Sequence, residues 1–243
     1  MKNREGSCLR GIVTMPESEG RFPAVLLLHG FAGSVSGYKY LNTRIARSLA
    51  ERGIACARFD FYGCGESDGE FEELSFSGLC RDAEDMFSWL KEQDFADTGR
   101  LCLAGQSLGG YVAASTAPFL RPAALLLLCP GGGMWYGAKP NADAVTASGA
   151  DFADLEGLCF KMSFNYDMAS HPEPFMEAQG YGGRVFIARA RNDKLVGERA
   201  FMAYAACYDK PVLLQTEGGG HNFASIPARE KICSAMAEFI NSL

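Results

Sequence analysis

Short apolar runs and apolar stripes at helical spacing alternate along this chain from one end to the other. Ala24-Val25-Leu26-Leu27-Leu28 is a continuous apolar run of the kind buried on both faces of a parallel sheet. Over residues 40–51, Leu41, Ile45 and Leu49 recur every four residues, which predicts an amphipathic helix ended by Gly53. Residues 54–59 read as the next strand and 79–91 as the next helix, apolar at Leu79, Met86, Phe87 and Leu90. The pattern continues with a strand over 101–104, a helix over 108–117 and a buried strand over 123–129. It closes with strand 184–190, helix 198–207, strand 212–215 and helix 227–240. Repeated strand–helix–strand units predict an α/β fold: a mostly parallel central sheet with helices on both faces.

Residues 131–183 break this rhythm with glycines, aromatics and short apolar pieces. So long a gap between two sheet strands is usually a functional insertion, and it is expected to form a small cap over the C-terminal edge of the sheet. No repeat, low-complexity tract or linker-like stretch marks a second domain, so residues 1–243 are read as one domain carrying this insertion.

Composition narrows the classes of function. The net charge of -6 argues against nucleic acid or an anionic membrane as a partner. The opening MKNREGSCLR is not followed by the roughly 7–15 apolar residues of a secretory signal. Nor does any segment reach the roughly 20 apolar residues of a membrane span, so a cytoplasmic protein is expected. Nine cysteines are scattered through contexts such as Ile54-Ala55-Cys56-Ala57, with no CxxC pair. They are expected to be reduced core residues, and neither a metal nor a cofactor is called for.

One motif carries chemistry. Gly105-Gln106-Ser107-Leu108-Gly109 fits G-x-S-x-G and stands between a predicted strand and a predicted helix. That turn would expose Ser107 at a helix N-terminus, where partial positive charge favours a developing oxyanion. A serine hydroxyl needs a base at neutral pH, and the chain offers three histidines. His29 ends a core strand before Gly30, and His171 lies in the insertion before Pro172. His221 follows strand 212–215 and Gly218-Gly219-Gly220, and it keeps the order serine, acid, histidine. For the acid, Asp193 follows strand 184–190; Asp209 precedes a strand, and Glu217 shares the loop of His221. Asp193 is therefore preferred. His29-Gly30-Phe31-Ala32-Gly33 supplies a backbone donor at Phe31, and the N–H of Leu108 supplies a second, for an oxyanion hole.

Taken together, HGFAG, RFDFYGCGESDGEF (residues 58–71), GQSLGG and the spacing of Asp193 and His221 resemble the α/β-hydrolase superfamily, and within it the bacterial feruloyl/cinnamoyl esterases. The resemblance covers nearly the whole chain outside the insertion and implies the α/β-hydrolase fold. It also implies esters of hydroxycinnamic acids as substrates, held in an aromatic-lined pocket beneath a cap, and it is compatible with a homodimer. The insertion supplies Trp135, Tyr136, Phe160, Phe164 and Tyr166 as aromatic side chains that could stack on an acyl group or pack among themselves. The expected activity is that of a serine carboxylesterase acting on a small-molecule ester through an acyl-enzyme on Ser107. The same chemistry would serve a thioesterase, an acyltransferase or a peptidase, and an idle hydrolase fold could serve as a binding protein.

Overall fold

A computed structural model describes all residues, Met1–Leu243. Seven strands form one sheet: β1 (Gly11–Thr14), β2 (Phe22–Leu28), β3 (Ala55–Phe59), β4 (Ala96–Gln106), β5 (Ala124–Leu128), β8 (Arg184–Ala190) and β9 (Val212–Thr216). Their spatial order is β1-β3-β2-β4-β5-β8-β9, with β1 antiparallel to β3 and every other pairing parallel. The register sets Leu26 of β2 between Ala57 of β3 and Leu103 of β4.

The period-2 alternation of strand side chains sends neighbours in each apolar run to opposite faces. Val25, Cys56, Cys102, Leu126 and Ala188 meet Ile45 and Leu49 of α1 (Leu41–Ala50) and Ile232 and Met236 of α8 (Ile226–Asn241). Leu26, Ala57, Leu103 and Leu125 pack on the other face against α2 (Phe76–Lys91), α3 (Leu108–Leu120) and α7 (Glu198–Ala206). Both faces are therefore dry, and truncating a fully buried leucine such as Leu26 should cost about 2–5 kcal/mol. No helix is long and apolar enough to cross a membrane.

Helix ends follow local chemistry. Ser75 accepts the Gly78 N–H at 3.0 Å and starts α2 three residues ahead of the predicted boundary, and Ser225 caps α8 in the same way.

Between β5 and β8 the chain forms α4 (Met134–Ala147), the antiparallel hairpin β6 (Phe152–Leu155) and β7 (Leu158–Lys161), α5 (Met162–Ser170) and α6 (Pro174–Ala178). The hairpin packs on the turn Phe71–Glu73, α5 on α4 and α2, and α6 on α3 and α7. Ser77, at the start of α2, ties α5 down: its hydroxyl donates to Asp167 at 2.8 Å and accepts from His171 Nε2 at 2.8 Å. Because Asp167 only accepts, His171 must be the donor, and this serine–histidine–aspartate group is a fastening between segments.

Candidate active site

Strand β4 ends at Gln106 and α3 begins at Leu108, leaving Ser107 alone at the turn with φ 56° and ψ -119°. A side chain held there stores roughly 1–3 kcal/mol of backbone strain, so the surroundings must fix it. They do so through Ser107 N–H to Leu128 C=O at 2.9 Å and Gly131 N–H to Ser107 C=O at 2.8 Å. The two motif glycines are needed for contact distance. A Cβ at Gly105 would lie 2.1 Å from the Gly109 carbonyl oxygen, and one at Gly109 would lie 2.4 Å from that of His29.

Ser107 Oγ lies 2.8 Å from His221 Nε2, and His221 Nδ1 lies 3.0 Å from Asp193 Oδ2. An ionised carboxylate only accepts, so Nδ1–H donates to Asp193 and the Nε2 lone pair accepts the Ser107 hydroxyl. The Asp193 side chain is fully buried, and its other oxygen accepts the N–H groups of Leu195 at 2.9 Å and Val196 at 3.0 Å. Burial pushes this carboxyl upward, but the hydrogen bonds from His221, Val196 and Leu195, with the attraction of His221, outweigh it and hold the group below its ordinary value. The structure thus brings Ser107, His221 and Asp193 into one hydrogen-bonded chain. It leaves the rival acids outside: Glu217 is turned to Arg191 at 3.2 Å on the surface, and Asp209 is exposed ahead of β9.

His221 sits in a short turn, Gly220–Asn222, entered through Gly219 at φ 104°. Two side chains that the sequence reading passed over hold this turn. The buried Cys129 thiol donates to the His221 carbonyl at 3.0 Å, and Gln106 donates to Asn222 Oδ1 at 3.2 Å. Burial pushes the Cys129 thiol well up, so it stays protonated and able to donate. Cys129 Sγ also lies within 4.8 Å of ligating atoms of Asp193 and His221, a trio that could hold a metal ion, but all three groups are already engaged in these hydrogen bonds.

The loop after β2 runs beside Ser107: a Cβ added at Gly30 would lie 3.2 Å from that of the serine. Neutral His29, its pKa lowered by burial, donates Nδ1–H to Gly30 C=O at 2.8 Å and accepts the Phe61 N–H on Nε2 at 3.2 Å. Asp60, also passed over, joins two loops by accepting Val35 N–H at 2.6 Å and Glu66 N–H at 3.0 Å. Its signal lay in the RFDF block, where it directly follows β3. The Phe31 N–H has no hydrogen-bond partner, and Leu108 N–H is the first of α3, where helix geometry offers none.

Two cavities open on Ser107 and share Phe31, Leu195 and His221. One, of about 610 Å³, is lined by the 30–34 loop, Tyr38, Gln106 and Asn222; the other, of about 320 Å³, is more apolar, with Met134, Val196 and Ala200. A third, of about 600 Å³, adjoins the second at Gly133 and Ala200 and includes Tyr136 and Phe175. The aromatic side chains expected at the substrate need correcting here. Only Tyr136 lines this chain of cavities. Phe160 and Phe164 are buried in the core, Trp135 Nε1 is spent on the His171 carbonyl at 3.0 Å, and Tyr166 bonds to Asp143 and Thr146 on the surface. The physical reason is that Phe160 and Phe164 are used to join the insertion to the main core, with Trp135 packed against it, while Tyr166 stays at the surface.

A serine raised on a strained strand-to-helix turn above a mostly parallel sheet is the architecture of a hydrolase of the α/β class. The chain belongs to the alpha/beta hydrolase family, whose sequence pattern matches residues 25–232. Among solved structures it is similar to Est1E from Butyrivibrio proteoclasticus with ferulic acid bound, at a TM-score of 0.88 and 23% identity over 98% of this chain and 96% of that one. It is also similar to alpha/beta hydrolase domain-containing protein 10 from mouse, at a TM-score of 0.77 and 19% identity over 100% and 97% of the two chains. At such identities the likeness concerns the fold. In sequence it is 36% identical over 94 residues to the mitochondrial palmitoyl-protein thioesterase ABHD10 of Homo sapiens, covering 39% of this chain and 28% of that protein. An uncharacterized 31.7 kDa protein of Escherichia coli is 35% identical over 96 residues, covering 40% and 32%. The match thus spans about a third or less of the length of these curated relatives.

Proposed function

We propose that the protein is a serine carboxylesterase that works through an acyl-enzyme on Ser107. The observation that carries this reading is the chain Asp193–His221–Ser107, at 3.0 Å and 2.8 Å, beside an unpaired backbone N–H. Ser107 Oγ attacks the ester carbonyl carbon while its proton passes to His221 Nε2, and Asp193 stabilises the imidazolium. The carbonyl oxygen becomes an oxyanion that accepts the N–H groups of Phe31 and Leu108, each such donor being worth roughly 10²–10³ in rate. Collapse breaks the bond to the alcohol, which leaves with the Nε2 proton. Water then attacks the acyl-enzyme, gives its proton to Nε2, and the acid departs as Ser107 is reprotonated. No cofactor enters this sequence.

Hydroxycinnamoyl esters are the substrates this reading puts first. The likeness to Est1E with ferulic acid bound supports them, as does an apolar cavity of about 320 Å³ beside Ser107. A thioester substrate is the second reading, favoured by the 36% identity to a palmitoyl-protein thioesterase. Methyl ferulate, a p-nitrophenyl butyrate control and the matching thioesters test both. Ser107→Ala should remain folded and lose at least about 10⁴-fold in turnover, with loss of labelling by a fluorophosphonate. Turnover retained by that folded variant would remove Ser107 from the mechanism, and a thioester preferred strongly over its oxygen ester would move the assignment to a thioesterase.

A further inference from the structure

We propose that Phe160 and Phe164 of the insertion are positioning residues for the oxyanion hole, gripping the ring of Phe31 so that its backbone N–H faces Ser107. This inference rests on the serine-esterase reading above. The loop that carries Phe31 is pinned at its ends, at Gly30 by His29 and at Val35 by Asp60, but between them the Phe31 N–H bonds to nothing, Ala32 follows at φ 50°, and the turn closes with Gly33 N–H on Gly30 C=O at 3.1 Å. The side chain of Phe31 is anchored from outside the loop. Its ring meets Phe160 edge-on at 5.1 Å and 81°, Phe71 at 5.5 Å and 61°, and Phe164 at 6.0 Å and 52°. Phe160 and Phe164 themselves pack at 5.4 Å, and both are buried.

The grip comes from sequence far away. Phe160 lies on β7, which packs on the turn Phe71–Glu73, and the neighbouring Lys161 pairs with Glu72 at 3.1 Å. Phe164 lies on α5, which is held to α2 through Ser77, Asp167 and His171. The insertion is thus fastened to the body on both sides of the Phe31 ring. Phe31 lines both cavities at Ser107, whereas Phe160 and Phe164 line neither. Their effect on the reaction passes through Phe31, in place of contact with an acyl group.

Phe160→Ala and Phe160→Leu test the proposal, with Phe164→Leu as a second site. Active sites are counted by fluorophosphonate labelling, and turnover is read well below each variant's melting temperature. Phe160→Ala should lower kcat roughly 10- to 100-fold, short of or equal to loss of one oxyanion donor, with KM nearly unchanged. It should weaken inhibition by phenylboronic acid by a similar factor, because the tetrahedral boronate on Ser107 Oγ places an oxygen at the same N–H groups. Phe160→Leu, which refills most of the space, should recover most of both. A raised KM at constant kcat, or an altered ratio of ferulate to butyrate turnover, would mean that Phe160 touches substrate and would overturn the proposal. So would a lowered melting temperature with kcat and boronate affinity intact. If Phe160→Ala does not fold, Phe164→Ala takes its place, with the same loss of kcat and boronate affinity expected and retention of both overturning the proposal. Failure of the esterase reading itself shows separately, as wild-type turnover that survives Ser107→Ala.

Discussion

Adding one methyl group at Gly109 should damage both stability and catalysis. The new Cβ would lie 2.4 Å from the His29 carbonyl oxygen and 2.6 Å from that of Leu28, both backbone atoms at the end of β2. Ordinary carbon–oxygen contact is on the order of 3.3 Å, so α3 must move away from the sheet by nearly 1 Å. Overpacking of this kind costs typically 1–3 kcal/mol, and the upper part of that range fits a clash against two carbonyls with no side chain able to yield. At about 2–4 °C per kcal/mol for a chain of this size, the melting temperature should fall by roughly 4–12 °C. Ser107 precedes α3 and moves with it, which opens the 2.8 Å contact to His221 Nε2. A displacement of that size at a reacting atom costs on the order of 10²-fold in kcat. Urea denaturation of Gly109→Ala and its kcat per fluorophosphonate-reactive site are the measurements. A variant with unchanged stability and turnover would refute the claim that strand and helix need this close approach.

Asp193→Asn should cut kcat by about 10⁴-fold, because an amide favours the wrong His221 tautomer, while Asp209→Asn and Glu217→Gln stay close to wild type. A crippled Glu217→Gln would move the acid to the His221 loop. The lowered pKa of Asp193 also makes a statement about stability. Its contribution is complete above the ordinary carboxylate value of 3.8 and is lost as pH falls through the lower folded value. The stability gap between wild type and Asp193→Asn should therefore narrow from pH 5 to pH 3, and a gap that widens on acidification contradicts the assignment. Burial pushes the Cys56, Cys64 and Cys102 thiols up to about 12, and all nine cysteines are free. Ellman's reagent at pH 8 should react slowly with these three in the native protein and count all nine in denaturant; nine fast thiols in the native state would show that the core is open.

The sheet was legible wherever burial on both faces leaves a continuous apolar run, as in β2, β5 and the Val185-Phe186-Ile187-Ala188 stretch of β8. It was not legible at β1, whose four residues Gly11–Thr14 form a partly exposed edge without a strong pattern. Helix α4 escaped because Gly137 and Pro140 interrupt a segment that is helical through its packing on α5. The β6–β7 hairpin did carry a signal, since Glu156 and Gly157 make a two-residue turn with both φ positive. At the site, Ser107, Asp193 and His221 could be read from strand ends and chain order. Cys129 could not, because its contribution is a thiol proton donated to a backbone carbonyl, which leaves no spacing in the sequence. The placement of Phe160 and Phe164 was equally hidden. An apolar ring in an insertion reads the same whether it lines a pocket or braces a neighbour.

The hydrogen bond between Ser107 and His221 joins residues 114 positions apart, and it closes across β5, β8 and β9. As the chain emerges from a ribosome, the serine is made long before its base, and its strained turn needs Leu128 and Gly131 as supports. On the proposed reading the nascent protein therefore carries a silent nucleophile until the loop between β9 and α8 has been made and docked. Turnover, on that esterase reading, becomes a clock for the last folding event. In a refolding experiment it should lag the recovery of helical signal, which α1, α2 and α3 can supply early.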